Sequence, residues 1–126
     1  IDAALASRRQ IDEHYRELLK GLPGIAPVMW PGGQTRNYYA FPVLVGDEFG
    51  CSRDELHRQL KLAGVNARRY FYPLLSDLPM YRDHAARSPD PLDVARNVGR
   101  RVLCLPLYPD LSDADIRRVV QVIRHC

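Results

Sequence analysis

Two short stretches carry the side chains best suited to gripping a ligand: Arg68-Arg69-Tyr70-Phe71-Tyr72 and Asn37-Tyr38-Tyr39. A guanidinium holds a carboxylate or a diphosphate through two hydrogen bonds, while a tyrosine offers a ring for stacking and a hydroxyl that orients a ligand oxygen. Arg68 and Tyr70 are therefore candidate binding residues, and Asn37, which precedes an aromatic strand from which it can reach a cleft, is the third. The competing reading is structural: Tyr70 and Tyr72 fill a sheet face, and Arg68 pairs with a surface carboxylate. Tyr38, Tyr39 and Phe41 are assigned to core packing, and Arg36 and Arg69 to solvated or interface charge.

Other chemistry finds less support. Cys51, Cys104 and Cys126 are odd in number, far apart and outside any C-x-x-C pattern, so they are expected to be unpaired thiols in a reducing compartment. His14, His57, His84 and His125 are equally scattered, and without closely spaced ligand pairs no metal site is expected.

The elements that must position these residues follow from periodicity. Ile11, Tyr15, Leu18 and Leu19 lie on one stripe of a helix from about Asp2 to Lys20, stopped by Gly21 and Pro23. After a Pro- and Gly-rich loop, Asn37 to Val45 reads as a strand with two largely apolar faces. Pro42 lacks a ladder donor and places that strand at an edge or at a bulge. Ser52-Arg53-Asp54-Glu55 has the form of a capping box for a helix that carries Leu56, Leu60 and Ala63 and ends at Gly64. A second strand is predicted over Asn66 to Tyr72. Pro73, Pro79, Pro89 and Pro91 then break the chain into short turns, before a third strand over Val102 to Leu105. Ser112 caps a last helix, with Asp113 and Asp115 at its positive end and Ile116, Val119, Val120 and Ile123 on one face. The expected fold class is α+β, a small, mainly antiparallel sheet with packed helices.

A chain of 126 residues, 46% hydrophobic, can bury one core but has little room for a second domain or a deep cofactor cleft. Residues 1–126 are read as a single domain. Its charge of +3 is mild, with acidic residues interleaved among the basic ones. There is no signal-peptide pattern and no apolar run near the roughly 20 residues needed to span a bilayer. A cytoplasmic setting without membrane partners is expected.

Taken in order, Arg8 to Gly24, Asn37-Tyr-Tyr-Ala-Phe-Pro-Val43, Arg53-Asp-Glu-Leu56 with Gly64-Val65, Ala67 to Leu75, Leu78-Pro-Met-Tyr81 and Leu105-Pro-Leu-Tyr-Pro109 resemble the C-terminal small domain of the DegT/StrS aminotransferases. The resemblance covers nearly the whole chain and implies the small-domain fold of fold-type I pyridoxal-phosphate-dependent transferases. It also implies an opening helix that links two domains, a large cofactor-binding domain in the same polypeptide, and a homodimer whose active sites use both subunits. The implied activity is transfer of an amino group from glutamate to a keto-sugar nucleotide in deoxyaminosugar biosynthesis. Many family members have histidine at the positions of Tyr70 and Leu75. The Arg-Arg-Tyr-Phe-Tyr-Pro version here is closer to the subgroup acting on deoxythymidine-diphosphate-linked keto-deoxysugars.

In that family a lysine of the large domain holds the cofactor as a Schiff base. Lys20 and Lys61 are the only lysines; one ends a helix and the other lies on a polar helix side, so neither has the context of a depressed-pKa nucleophile. The chain alone is expected to hold no pyridoxal phosphate, to supply no catalytic or cofactor-binding residue, and to be inactive. Two other classes remain. One is a non-catalytic interaction or dimerisation domain of aminotransferase-like shape. The other is an RNA-recognition fold, because arginines beside strand aromatics also occur on its stacking surface; the β-α-β-β-α-β order and the glycine-containing strand motif of that fold are missing, so no nucleic-acid partner is expected.

Overall fold

A computed structural model describes residues 1–33, 35–83 and 92–126. His84, Pro89 and Pro91, named above, lie outside the described residues. The order is α1 (Asp2–Leu19), β1 (Ile25–Pro27), β2 (Phe41–Val45), α2 (Arg53–Leu62), a 3-10 turn (Leu75–Asp77), α3 (Asp93–Arg101), β3 (Val102–Leu105) and α4 (Asp113–Arg124).

The helix ends follow local chemistry. Ser52 Oγ accepts from the Glu55 backbone N–H at 3.2 Å, while the Glu55 carboxylate turns to Arg58 and Gln59, so half of the predicted capping box forms. Ser112 caps α4 by accepting from the Asp115 backbone N–H at 3.1 Å. Gly24, at φ +74°, leads from α1 into β1; a Cβ there would lie 2.4 Å from the Phe49 backbone nitrogen, so only glycine fits.

The sheet is antiparallel with β2 in the middle, which corrects the expectation that Pro42 marks an edge or a bulge. Pro42 faces Cys104, and Cys104 spends its backbone N–H and carbonyl on Arg68, on the far side of β3. The Pro42–Cys104 pair therefore calls for no mutual hydrogen bonds. Toward β1, the Pro42 carbonyl accepts from the Val28 N–H at 3.0 Å. The Val28 carbonyl, which a proline cannot serve, accepts instead from Arg16 Nη2 at 3.1 Å. One arginine from α1 thus replaces the missing ladder donor.

Phe41, Val43 and Val45 of β2, with Leu103 and Leu105 of β3, face a core completed by Ile11, Tyr15 and Leu19 of α1, Leu56 and Leu60 of α2, and the Ile116–Ile123 stripe of α4. Tyr15 stacks on Phe41 with ring centroids 4.9 Å apart. The opposite face presents Pro42, Leu44, Val102 and Cys104, and α3 packs beside β2 there.

Five further expectations are corrected. The strand predicted over Asn66 to Tyr72 shrinks to one bridge, Arg68 with Cys104; beyond it the chain turns, as the Tyr72 N–H donates to the Arg69 carbonyl. α3 arises where only irregular chain was read, and β1 was missed because three residues carry too little periodicity to show. Tyr39 is 60% exposed, so it does not pack in the core with Phe41. Finally, Cys51 and Cys126 form a disulfide, with Cα atoms 5.9 Å apart, and only Cys104 is a free, buried thiol. Their 75-residue separation hid a contact that the packing of α4 against α2 creates.

Candidate functional site

The site lies on the sheet face away from the three-helix core. Arg68 is set by paired backbone hydrogen bonds with Cys104, at 2.9 and 2.7 Å. Two residues on, Tyr70 is half-buried, and the Arg68 guanidinium carbon lies 5.9 Å from its ring centroid. Two adjoining hollows open here. One, of about 380 Å³, is bordered by Arg68, Asn66 and the Pro106–Tyr108 segment. The other, of about 440 Å³, is bordered by Trp30, Asn37, Tyr38 and Phe71. Tyr39, Ala40, Tyr70 and Cys104 line both, so Tyr70 belongs to the wall between them.

The fold thus gathers the three candidate residues: Arg68 borders one hollow, Asn37 the other, and Tyr70 both. Asn37 is exposed, and its Oδ1 accepts from the Tyr39 backbone N–H at 3.3 Å. Tyr38, in the loop between β1 and β2, adopts a left-handed φ of 49° and lines the second hollow. Among the described residues Arg68 makes no ion pair, so the surface-carboxylate alternative finds no partner there. Its guanidinium is exposed at the mouth of a hollow, where it can meet an anion.

Arg36 and Arg69, read as solvated or interface charges, are instead tied down. Arg36 donates to Asp12 Oδ1 at 2.8 Å and lies 4.4 Å from the Tyr38 ring centroid and 5.1 Å from that of Trp30. Asp12 is 2% exposed and also accepts from Arg16 Nε at 2.6 Å. The carboxylate on α1 thereby holds the loop that carries Trp30 and Asn37. The signal available in sequence was its helical spacing: Asp12 lies four residues before Arg16 and next to the apolar stripe of Ile11 and Tyr15. Arg69 bonds to Asp54 at 3.1 Å. Burial pushes the Asp54 carboxyl up, but hydrogen bonds and charge from Arg69 and Arg53 outweigh that and leave it below its ordinary value.

Cys104 was not foreseen at the site. Its burial raises the thiol pKa, against a hydrogen bond from the Tyr70 backbone, so it stays a neutral, weakly polar wall. Both lysines lie elsewhere: Lys20 is exposed beyond the end of α1, and Lys61 is exposed on α2 beside His57, outside both Tyr70 hollows. Among the described residues no three His, Cys, Asp or Glu side chains cluster as a metal site, and no helix is long and apolar enough to cross a membrane.

Known proteins resemble the chain along nearly its whole length. The chain is 41% identical over 125 residues to a dTDP-4-amino-4,6-dideoxy-D-glucose transaminase of Escherichia coli, covering 98% of this chain and 33% of that protein. It is 34% identical over 113 residues to a dTDP-4-dehydro-2,3,6-trideoxy-D-glucose 4-aminotransferase of Saccharopolyspora spinosa, covering 89% of this chain and 27% of that one. The crystal structure of DesI, determined in the presence of its TDP-sugar product, superposes with a TM-score of 0.87 at 31% identity over 98% of this chain and 31% of DesI. The chain therefore spans about a third of the length of the curated relatives it matches. With a sequence model of the family matching residues 1–124 and this fold shared along nearly its whole length, the chain belongs to the DegT/DnrJ/EryC1/StrS aminotransferase family.

Proposed function

We propose that the chain is the small domain of a pyridoxal-phosphate-dependent aminotransferase that moves an amino group from glutamate to a keto-sugar nucleotide, working as a homodimer. The observation that carries this reading is the grouping of Arg68, Tyr70 and Asn37 around two adjoining hollows, in a chain whose relatives are named dTDP-sugar transaminases. In this reading Arg68 grips an anion, either the donor's carboxylate or the nucleotide diphosphate. Tyr70 stacks beside the ligand and orients a sugar oxygen with its hydroxyl. Asn37 closes the second hollow with its amide.

The residues of this chain do not fit the Schiff-base anchor of pyridoxal phosphate. A lysine nucleophile needs a desolvated pocket that depresses its pKa, and Lys20 and Lys61 are both exposed and outside the hollows. The anchor is accordingly assigned to a large domain in the same polypeptide, and this domain's work is binding and orientation. Met29, Phe71, Leu75 and Met80 are each more than two-thirds exposed, apolar side chains suited to contact with that neighbour or with a second subunit.

The test is kinetic, on the full-length enzyme. Arg68→Lys keeps the charge and loses the planar fork, so it should raise KM for glutamate or for the sugar nucleotide with little change in thermal midpoint. Tyr70→Phe should cost a few-fold to roughly tenfold in turnover, the loss of one neutral hydrogen bond. A lower midpoint with both KM values and turnover intact would place these residues in the scaffold instead.

A further inference from the structure

The segment that carries Arg68 and Tyr70 is held at both ends. At one end is the Arg68–Cys104 backbone pair. At the other is Tyr72, whose ring centroid lies 4.8 Å from the guanidinium carbon of Arg53 and 5.4 Å from that of Arg69. Arg53 is 5% exposed and cannot shift freely. Its Nη1 donates to the carbonyls of Gly99 and Val102, each at 2.9 Å, and its Nε to Asp54 at 2.9 Å. Asp54 in turn accepts from Arg69 at 3.1 Å. One buried guanidinium thus ties together the start of α2, the junction of α3 with β3, and the ring of Tyr72.

The arrangement has a chemical logic. The two carbonyls at the α3–β3 junction need donors, and a guanidinium that serves them still presents its flat face to an aromatic ring. Gly99 lies against this segment: a Cβ there would lie 3.3 Å from Leu74 Cδ2, a tight contact that the leucine side chain would have to relieve by a few tenths of an ångström. Tyr72 is itself 45% exposed, so core packing alone does not account for its placement.

We propose that Tyr72, docked on Arg53 and Arg69, is a positioning residue that sets Arg68 and Tyr70 at the mouths of their hollows. This rests on the site reading given above. Tyr72 acts through its ring and not through its hydroxyl, so phenylalanine should replace it and leucine should not.

The experiment compares Tyr72→Leu, Tyr72→Phe and Arg69→Met in the full-length enzyme, with two readouts. The first is hydrogen–deuterium exchange across residues 68–74, which needs no ligand. The second is KM for the sugar nucleotide, with a deoxythymidine-diphosphate-linked 4-keto-6-deoxyhexose as the probe. Tyr72→Leu should speed exchange in this segment and raise KM roughly tenfold, the loss of two cation–ring contacts. Tyr72→Phe should match the parent in both readouts. Arg69→Met removes the solvent-side ring contact and the Arg69–Asp54 hydrogen bond while leaving the bonds of Arg53 to the Gly99 and Val102 carbonyls in place, and should raise KM about threefold; it keeps the test decisive if Tyr72→Leu folds poorly. Unchanged exchange in both Tyr72→Leu and Arg69→Met overturns the anchor. Equal impairment by Phe and Leu overturns positioning, because the hydroxyl would then be touching the ligand itself. Faster exchange with KM unaffected by Tyr72→Leu, and with both KM values and turnover unaffected by Arg68→Lys and Tyr70→Phe, overturns the site reading and the positioning role with it, whereas the expected effects of Arg68→Lys and Tyr70→Phe without any effect of Tyr72→Leu on KM overturn only the role of Tyr72.

Discussion

Replacing Asp12 by alanine should destabilise the chain by about 3 kcal/mol, far more than one carboxylate on a helix surface would. Asp12 is 2% exposed and accepts from Arg16 at 2.6 Å and from Arg36 at 2.8 Å. Each charge-assisted hydrogen bond is worth roughly 1.5–3 kcal/mol. The lower end applies because the side chains of Arg16 and Arg36 remain 26% and 19% exposed, so water compensates part of the loss. Arg16 also serves the Val28 carbonyl left without a partner by Pro42, so its release weakens the junction of β1 with β2. In urea, with a slope of roughly 1.5–2 kcal/mol per molar, the unfolding midpoint should fall by about 1.5–2 M. Asp12→Asn, which keeps one acceptor oxygen and the shape, should lose about half as much. Trp30, the chain's one tryptophan, lies under Arg36 and supplies a second signal: its emission should shift toward that of a solvated indole as the loop loosens. A midpoint within about 0.3 M of the parent for Asp12→Ala, with unchanged Trp30 emission, would refute the claim that this carboxylate holds the loop.

The Cys51–Cys126 disulfide closes a loop with a sequence separation of 75, worth about 4.5 kcal/mol in the chain-entropy picture; reductant or Cys126→Ser should lower the urea midpoint accordingly, and thiol titration of the unreduced, denatured chain should find Cys104 alone, whereas finding all three thiols would contradict the pairing. Arg58, then Gln59, hold the Glu55 carboxyl down at about 2 through their hydrogen bonds, from an ordinary value of 4.5. Because its folded value is depressed, Glu55 contributes stability that is present above pH 4.5 and lost as pH falls toward 2; acid titration of Glu55→Gln should show a shallower decline over that window, and an identical decline would remove Glu55 from the account. Tyr15 is fully buried and its hydroxyl has no hydrogen-bond partner among the described residues, so Tyr15→Phe should leave stability unchanged or raise it by about 1 kcal/mol; a clear loss of midpoint would show that the hydroxyl is satisfied.

The sequence by itself determined the elements whose signals are local. The 3.6-residue stripes of α1, α2 and α4, the serine caps at Ser52 and Ser112, and the apolar runs of β2 and β3 all declare themselves within a dozen residues, because their periodicity and capping depend on near neighbours in the chain. Arg68, Tyr70 and Asn37 were singled out by chemical type together with their place in the family resemblance, although nothing local shows that they meet. Only the tertiary structure decided that Pro42 belongs at the sheet centre, since that depends on Cys104 bonding to Arg68 and on Arg16 reaching Val28 from another element. Only it decided that Cys51 and Cys126 pair, and that Arg36 and Arg69 are struts and not loose charges. Each of these outcomes is a choice of partner across 12 to 75 residues of chain, and spacing carries no record of such choices because they are made by the packing of elements whose own signals end at their caps.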